Sequence, residues 1–232
     1  MTTLLLHPIG LDRTTWAGVP IDGALAVDLP GHGDAPFAVL GGLADVADAV
    51  VAGLPDECGP LDVVGVSLGG MTALQLALRH PDRVRSIVVA CAPAATAEEP
   101  MLRRAADTER LGMAGVVGAM IERWFSPEVA AAGGEEVRAV ERRLLADDPS
   151  VVAAYWRLIA AHDVRDGLAG IAMPVTVVAG SGDVSVPPAL ARELADGIAG
   201  ARLVELEGAH MLHLEAPEAF AATVRQHLAA FG

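Results

Sequence analysis

The chain has 232 residues, 53% of them hydrophobic, which suits one large domain or one domain with an inserted subdomain. Its formal net charge of −14 argues against nucleic-acid binding, which needs a basic face. All 16 basic residues are arginine, so Schiff-base chemistry, pyridoxal phosphate attachment and a P-loop are excluded.

Apolar segments that read as strands alternate with helical patterns along most of the chain. In chain order, strands are predicted at 3–7, 23–33 with its glycine-rich loop, 61–66, 84–93, 173–183 and 201–210. Helices are predicted at 43–54, 71–81, 188–200 and 216–231. Fully apolar strands separated by helices indicate an α/β fold, in which a mostly parallel sheet of about six strands is flanked by helices on both faces.

The alternation stops between residues 94 and 170. This segment shows only helical patterns rich in Ala, Arg and Glu. We therefore predict a core formed by residues 1–93 and 171–232, with residues 94–170 inserted as a small helical cap.

The segment "VVGVSLGGMTA" (63–73) places Ser67 between two glycines, Gly65 and Gly69. A buried strand precedes it and a helix follows. A sharp strand-to-helix turn of this kind exposes the serine hydroxyl at the carboxyl edge of the sheet. The pattern predicts that Ser67 is a nucleophile, because in this context a chance match is the less favoured interpretation.

A serine nucleophile needs a base, and His210 is the predicted one because it directly follows the last strand. His213 is the rival, although we expect it to face the pocket or solvent. His227, inside the last helix, is expected to be exposed, and His32 to close its own loop by a hydrogen bond. His80 is expected to cap a helix and His162 to lie in the cap.

The acid that orients the base is predicted to be Asp183, just past a strong strand. The chain order nucleophile, acid, base, here Ser67, Asp183 and His210, is the order that a serine at such a strand-to-helix turn of an α/β sheet requires. The oxyanion hole needs two backbone N–H groups, which we assign to Leu68 and to Ile9. Pro8, beside Ile9, has no N–H to donate.

Five motifs in this order, "LLLHPIG", "VDLPGHG", "GVSLGG", "VVAGSGD" and "EGAHMLHLEAPEAF", resemble the α/β-hydrolase superfamily nearly from end to end. Within it, "ERWFSPE" and the segment 147–168 are most similar to the 3-oxoadipate enol-lactonases. The resemblance implies a cap above the serine. It also implies an aromatic residue in the pocket, a position that matches Trp124. The chain begins almost at the oxyanion strand, so the N-terminal hairpin usual in those enzymes is expected to be missing.

These expectations define a hydrolase that cleaves an ester or an enol-lactone-like substrate through an acyl-enzyme. Trp124 and Met211 are the predicted pocket residues, although Trp124 also suits a buried anchor between cap helices. A substrate carboxylate is a possible ligand for cap arginines, although for most of them a solvated charge on a helix face is the favoured interpretation; they are Arg103, Arg104, Arg123 and Arg157. The alternative is a non-hydrolytic step, an elimination, cyclisation or dehydration, carried out by the same triad.

The remaining expectations concern setting and partners. No uncharged apolar run reaches the roughly 18 residues of a membrane-spanning helix, and no secretion signal is visible. Cys58 and Cys91 form no metal or redox motif. We therefore expect a cytoplasmic protein with no metal or other cofactor and with a small-molecule substrate as its partner. Monomer and homodimer are not distinguished.

Overall fold

A computed structural model describes residues 2–55 and 58–231. A six-stranded sheet forms its centre, with strands β1 (Thr2–Leu6), β2 (Leu25–Val27), β3 (Leu61–Val66), β4 (Val84–Ala90), β5 (Val175–Gly180) and β6 (Arg202–Leu206). The strand order is β2-β1-β3-β4-β5-β6, and every neighbouring pair is parallel. All six residues of β3 and of β5 are buried, which explains why these two sequences are mainly apolar. The predicted parallel α/β sheet is confirmed.

Nine helices of the described chain surround or extend the sheet: α1 (Leu43–Gly53), α2 (Leu68–Arg79), α3 (Glu98–Trp124), α4 (Pro127–Ala132), α5 (Glu135–Leu145), α6 (Pro149–Ala160), α7 (Pro188–Asp196), α8 (Leu212–Glu215) and α9 (Pro217–Phe231). Four of them, α4, α6, α7 and α9, begin with proline, whose missing N–H is no loss in the first helical turn. The described helices contain none that is both long and apolar enough to cross a membrane.

The two faces of the sheet bury separate sets of side chains. In β1, Leu4 and Leu6 belong to the core cluster that also contains residues of α1, α2 and α7, whereas Leu5 points to the opposite face. There it joins a cluster that includes Phe220 and Val224 of α9. Because alternate strand residues point to opposite faces, an apolar strand needs helices on both sides.

Helices α3 to α6 lie between β4 and β5 in the chain. The segment that contains them leaves and re-enters the sheet region at one place, where the Thr96 amide donates to the His162 carbonyl (3.0 Å) and the Val164 amide donates to the Ala94 carbonyl (2.9 Å). Within α3, Gly112 has φ 66°, and this left-handed residue divides the helix into two segments. The assignment of residues 94–170 as a separate cap stays a prediction.

Candidate functional site

Ser67 lies at the point where β3 ends and α2 begins, and its backbone is in an unusual conformation. Its φ is 55° and its ψ −116°, a region that residues with a side chain rarely adopt. Its amide donates to the Ala90 carbonyl at the end of β4 (2.9 Å), and its carbonyl accepts from the Met71 amide (2.9 Å). The turn is therefore held from both sides, by the sheet and by the first turn of α2.

The two glycines that flank Ser67 are required by close backbone contacts. A Cβ atom on Gly65 would overlap the backbone carbonyl of Gly69. A Cβ atom on Gly69 would overlap the carbonyl of Leu6 in the neighbouring strand β1. Since both obstacles are backbone atoms, neither can move aside cheaply. The Gly-x-Ser-x-Gly spacing thus has a steric cause in this fold.

The structure brings Ser67, His210 and Asp183 together in one line of hydrogen bonds. His210 Nε2 lies 2.9 Å from Ser67 Oγ, and His210 Nδ1 lies 2.7 Å from Asp183 Oδ2. All three side chains are buried. With its proton on Nδ1 and donated to Asp183, the imidazole leaves Nε2 free to accept the serine proton.

Asp183 is fixed by the loop that follows β5. Its Oδ1 atom accepts hydrogen bonds from the backbone amides of Ser185 (2.7 Å) and Val186 (2.9 Å). Those two bonds orient the carboxylate so that Oδ2 faces His210. The sequence predicted the acid but not these two donors, although the residues just after an aspartate in a turn often bond to it.

Cys91 adds a third potential metal ligand beside Asp183 and His210, since the ligand atoms of the three residues lie within 4.8 Å of one another. Burial, together with the nearby Asp183 charge, raises the pKa of the Cys91 thiol well above its usual value. A metal needs the deprotonated thiolate. His210 already uses both ring nitrogens in hydrogen bonds, so His210 and Asp183 fit a proton relay with Ser67 better than a metal site with Cys91.

The amides of Ile9 and Leu68, the predicted oxyanion donors, belong to the loop after β1 and to the first residue of α2. Neither donates a hydrogen bond to another residue of the described chain. His7 fixes the loop after β1, because its Nδ1 bonds to the Pro8 carbonyl (2.8 Å) and its Nε2 accepts from the Leu29 amide (2.9 Å). Burial lowers the pKa of His7 to about 4, so the ring is neutral. Sequence reasoning gave His7 no role.

His213 is not where the sequence led us to expect it. It is fully buried below the site, with Nε2 2.9 Å from Thr15 Oγ1 and its ring 5.0 Å from that of Trp16. Burial lowers its pKa to about 3. The expectation that it faces the pocket or solvent is wrong, because α8 turns this side chain into the core.

The expectation of an exposed His227 is also wrong. Its ring is buried between α9 and the sheet, and Nδ1 lies 2.8 Å from Thr176 Oγ1 of β5. The other histidines have local partners. His32 Nδ1 contacts the Pro30 carbonyl (3.3 Å), His162 Nε2 contacts the Pro93 carbonyl (3.1 Å), and His80, at the C-terminus of α2, contacts Asp48 (2.7 Å).

A cavity of about 240 Å³ opens beside Ser67 and His210. Its walls are mainly apolar and come from α2, the loop after β4, α3, α6 and the loop before α7; they include Met71, Met101, Trp124, Trp156, Ile159 and Val186. Trp124 is thus a wall of the cavity, and its ring lies 6.4 Å from that of His210. Five further lining residues belong to the inserted helices α3 and α6: Pro100, Met101, Arg104, Trp156 and Ile159.

The predicted pocket residue Met211 does not line this cavity. Its side chain is fully buried in the hydrophobic core, and its amide donates to the Trp124 carbonyl (3.0 Å). Adjacent residues of a chain point in different directions, so the residue after His210 turns away from the cavity. Its backbone, rather than its side chain, contacts the pocket wall.

Glu215, at the end of α8, is a residue that sequence reasoning missed. Its carboxylate accepts one hydrogen bond from the Ala209 amide (2.8 Å) and another from the Ser126 amide (2.5 Å). One carboxylate therefore joins the loop that carries His210 to the segment after α3. The available signal was an acidic residue five positions after the histidine, too general a feature to assign.

A comparison with known families agrees with this geometry. The model of the alpha/beta hydrolase family matches residues 3–223 of the chain. The chain belongs to the alpha/beta hydrolase family. The resemblance inferred from the five motifs is thereby confirmed.

Individual relatives include esterases and lactonases. A pimeloyl-[acyl-carrier protein] methyl ester esterase of Neisseria meningitidis is 35% identical over 215 residues, covering 86% of this chain and 80% of its own. The 3-oxoadipate enol-lactonase 2 of Acinetobacter baylyi is 30% identical over 67% of this chain and 59% of its own. The crystal structure of the enol-lactonase from Burkholderia xenovorans superposes with a TM-score of 0.92 at 29% identity, over 98% of this chain and 91% of that one.

Proposed function

We propose that this protein is a serine hydrolase that cleaves an ester or lactone bond in a small molecule through an acyl-enzyme. Ser67 is the nucleophile, His210 the base and Asp183 the residue that orients the base. The observation that carries the proposal is the continuous hydrogen-bonded line from Ser67 Oγ through His210 to Asp183 Oδ2, with distances of 2.9 and 2.7 Å. Those distances lie within the range that proton transfer requires.

In the first half of the reaction, His210 Nε2 takes the proton of Ser67 while Oγ attacks the substrate carbonyl carbon. The carbonyl oxygen becomes an oxyanion, which the amides of Leu68 and Ile9 stabilise. The ester C–O bond then breaks, and the leaving alkoxide takes the proton from His210. The acyl group remains on Ser67; in a lactone, the alcohol stays attached to it.

In the second half, a water molecule replaces the alcohol. His210 removes its proton, the hydroxide attacks the acyl carbon, and collapse of the second oxyanion releases the acid and returns the proton to Ser67. Asp183 stays ionised throughout and stabilises the imidazolium that forms twice. No step requires a metal, because the two amides and the imidazolium supply the charge stabilisation.

A small ester or lactone suits the dimensions and chemistry of the cavity, which measures about 240 Å³ and has mainly apolar walls. The names of the relatives support the same two kinds of bond, since one is a methyl ester esterase and two are enol-lactonases. In this proposal, residues 94–170 form a cap that closes the cavity over Ser67, with Trp124 as its wall nearest to His210.

The deciding experiment compares the wild type with Ser67→Ala on short p-nitrophenyl esters, methyl esters and enol-lactones. We expect turnover and fluorophosphonate labelling in the wild type and neither in Ser67→Ala. His210→Ala should also be inactive, whereas His213→Gln should lose stability but keep its labelling. Reaction in isotopically labelled water should place one labelled oxygen in the acid product. Labelling that persists in Ser67→Ala, or an unlabelled product, would contradict the proposal.

A further inference from the structure

The four arginines that the sequence singled out divide into two groups in the structure. Arg103 pairs with Glu99, and Arg157 pairs with Glu109 at 2.7 Å; all four of these side chains are well exposed. Arg104 and Arg123 are only partly exposed, and neither lies within salt-bridge distance of a carboxylate in the described residues. Exposed pairs contribute little, so the two unpaired guanidinium groups are the unusual feature.

Arg104 lines the cavity that also contains Ser67 and His210. Its guanidinium carbon lies 5.2 Å from the centre of the Trp156 ring, and Nη1 lies 3.1 Å from Met101 Sδ. These contacts hold the side chain in place but leave its positive charge without a counter-ion. A guanidinium has five N–H donors arranged to bind a planar carboxylate with two parallel hydrogen bonds.

Arg123 increases the positive charge at this place. Together with Arg104 it lines a neighbouring cavity of about 210 Å³, and its Nε atom is buried without a hydrogen-bond partner in the described chain. Burial, followed by the nearby Arg123 charge, lowers the pKa of Arg104 to about 10, so Arg104 remains charged at neutral pH. Burial also lowers the pKa of Arg123.

The composition of the chain makes this arrangement more informative. There are 30 acidic residues for 16 basic ones, yet none of the described carboxylates reaches these two arginines. Two like charges that are partly withdrawn from water cost free energy, and a bound anion would recover it. Of the two, Arg104 lines the cavity beside Ser67, where the anion would be part of the substrate.

We propose that Arg104 binds a carboxylate group of the substrate, so that the enzyme prefers short esters or lactones that carry an acid group. Arg123 supports this subsite through its charge. The inference rests on the proposed function, because the subsite is assigned to the substrate of the Ser67 reaction. A carboxylate fits better than a larger anion, since the cavity is small and its other walls are mainly apolar.

The test uses two esters that differ in one charge, the p-nitrophenyl monoester of glutaric acid and the neutral p-nitrophenyl pentanoate. We expect the wild type to prefer the acid ester in kcat/KM. Arg104→Gln should lower kcat/KM for the acid ester by about tenfold to a hundredfold, chiefly through KM, because hydrogen bonds between ions are lost. The loss of kcat/KM for the neutral ester should be much smaller, and Arg104→Lys should retain part of the preference for the acid ester.

Arg103→Gln is the matched control, because it removes a neighbouring arginine of the same helix that is paired on the surface. Arg103→Gln should leave kcat/KM unchanged for both esters, and all variants should keep a similar melting temperature. Equal losses for both esters in Arg104→Gln, or no preference for the acid ester in the wild type, would overturn the inference.

A binding measurement separates this inference from the proposed function. Calorimetric titration of Ser67→Ala with glutarate should show binding that is lost in Ser67→Ala/Arg104→Gln and absent with glutaramide. Glutarate binding without any ester turnover would remove the proposed function and keep the subsite. Turnover without glutarate binding would remove the subsite and keep the proposed function. Inorganic phosphate that binds as tightly as glutarate would contradict the carboxylate assignment.

Discussion

Glu215 Oε2 accepts a hydrogen bond of 2.8 Å from the backbone amide of Ala209, the residue that precedes His210. The other carboxylate oxygen accepts from Ser126, two residues after the end of α3. A hydrogen bond to a charged acceptor is stronger than one between neutral groups. The position of the imidazole therefore depends on a side chain that does not touch it.

Replacement of Glu215 by glutamine should lower kcat about tenfold and leave KM nearly unchanged. The amide group would present N–H to one of two backbone donors, which costs about 1–3 kcal/mol and loosens the His210 loop. Kinetics and urea unfolding of the variant would measure both effects. Glu218→Gln, on the exposed side of α9, is the control. An unchanged kcat would show that the loop is held by its other contacts.

Asp183→Asn should reduce kcat by about four orders of magnitude. The Ser185 and Val186 amides require an acceptor at Oδ1, so the asparagine oxygen takes that position and its NH₂ faces His210. The ring would then lose the partner that keeps its proton on Nδ1. The rate of fluorophosphonate labelling reports this loss directly. If a folded Asp183→Asn protein is labelled at the wild-type rate, Asp183 is not the orienting acid.

Gly65→Ala should destabilise the protein by about 1–3 kcal/mol or more, because the new methyl group meets the Gly69 carbonyl and the backbone must shift. Gly118→Ala is the counterpart, since a Cβ atom there enters open space within α3. It should stabilise the protein by about 0.4–1 kcal/mol. Thermal unfolding of the two variants gives the comparison, and equal melting temperatures would contradict the steric explanation.

Lowering the pH below about 6.5 should destabilise the protein. Burial lowers the folded-state pKa of four histidines below the ordinary value of 6.5, to about 4 for His7 and His227 and about 3 for His32 and His213. Between pH 6.5 and 4 the unfolded chain therefore binds more protons than the folded one, and the free energy of unfolding falls as the pH falls.

One buried carboxyl acts in the opposite direction. Burial raises the pKa of Asp147 to about 6, so this group favours the folded state as it takes up a proton. Burial also lowers the pKa of a fifth histidine, His162. The histidines therefore outnumber this one aspartate, and the net effect of acid is a loss of stability. Urea unfolding between pH 7 and 5 measures it. His227→Gln should reduce the slope by up to one proton, about 1.4 kcal/mol per pH unit, and an unchanged slope would mean that His227 does not titrate on unfolding.

The sheet and the line of Ser67, His210 and Asp183 were predictable because each of these residues lies at or shortly after the carboxyl end of a strand. In a parallel sheet all such positions lie at one edge, so chain position alone brings them together. The roles of the three residues are still predictions that the experiments above address.

What could not be predicted was the direction of side chains on helices. His227 lies in a helix and yet faces Thr176, and Met211 turns away from the cavity next to His210. Arg103 and Arg104 are adjacent in sequence, but only the second faces the cavity. Spacing along a helix does not say which face meets a neighbour when the neighbour itself is unknown.

The hydrogen bonds that join Ala94 to Val164 and Thr96 to His162 close the chain at the base of the inserted helices. Beneath them β4 and β5 pair directly, with Ile87 opposite Val175. Insertions and deletions within α3 to α6 therefore need not shift the register of the strands that carry Ser67 and Asp183. In evolution, the walls of the cavity can be exchanged for walls of another length and composition while the sheet beneath keeps its geometry.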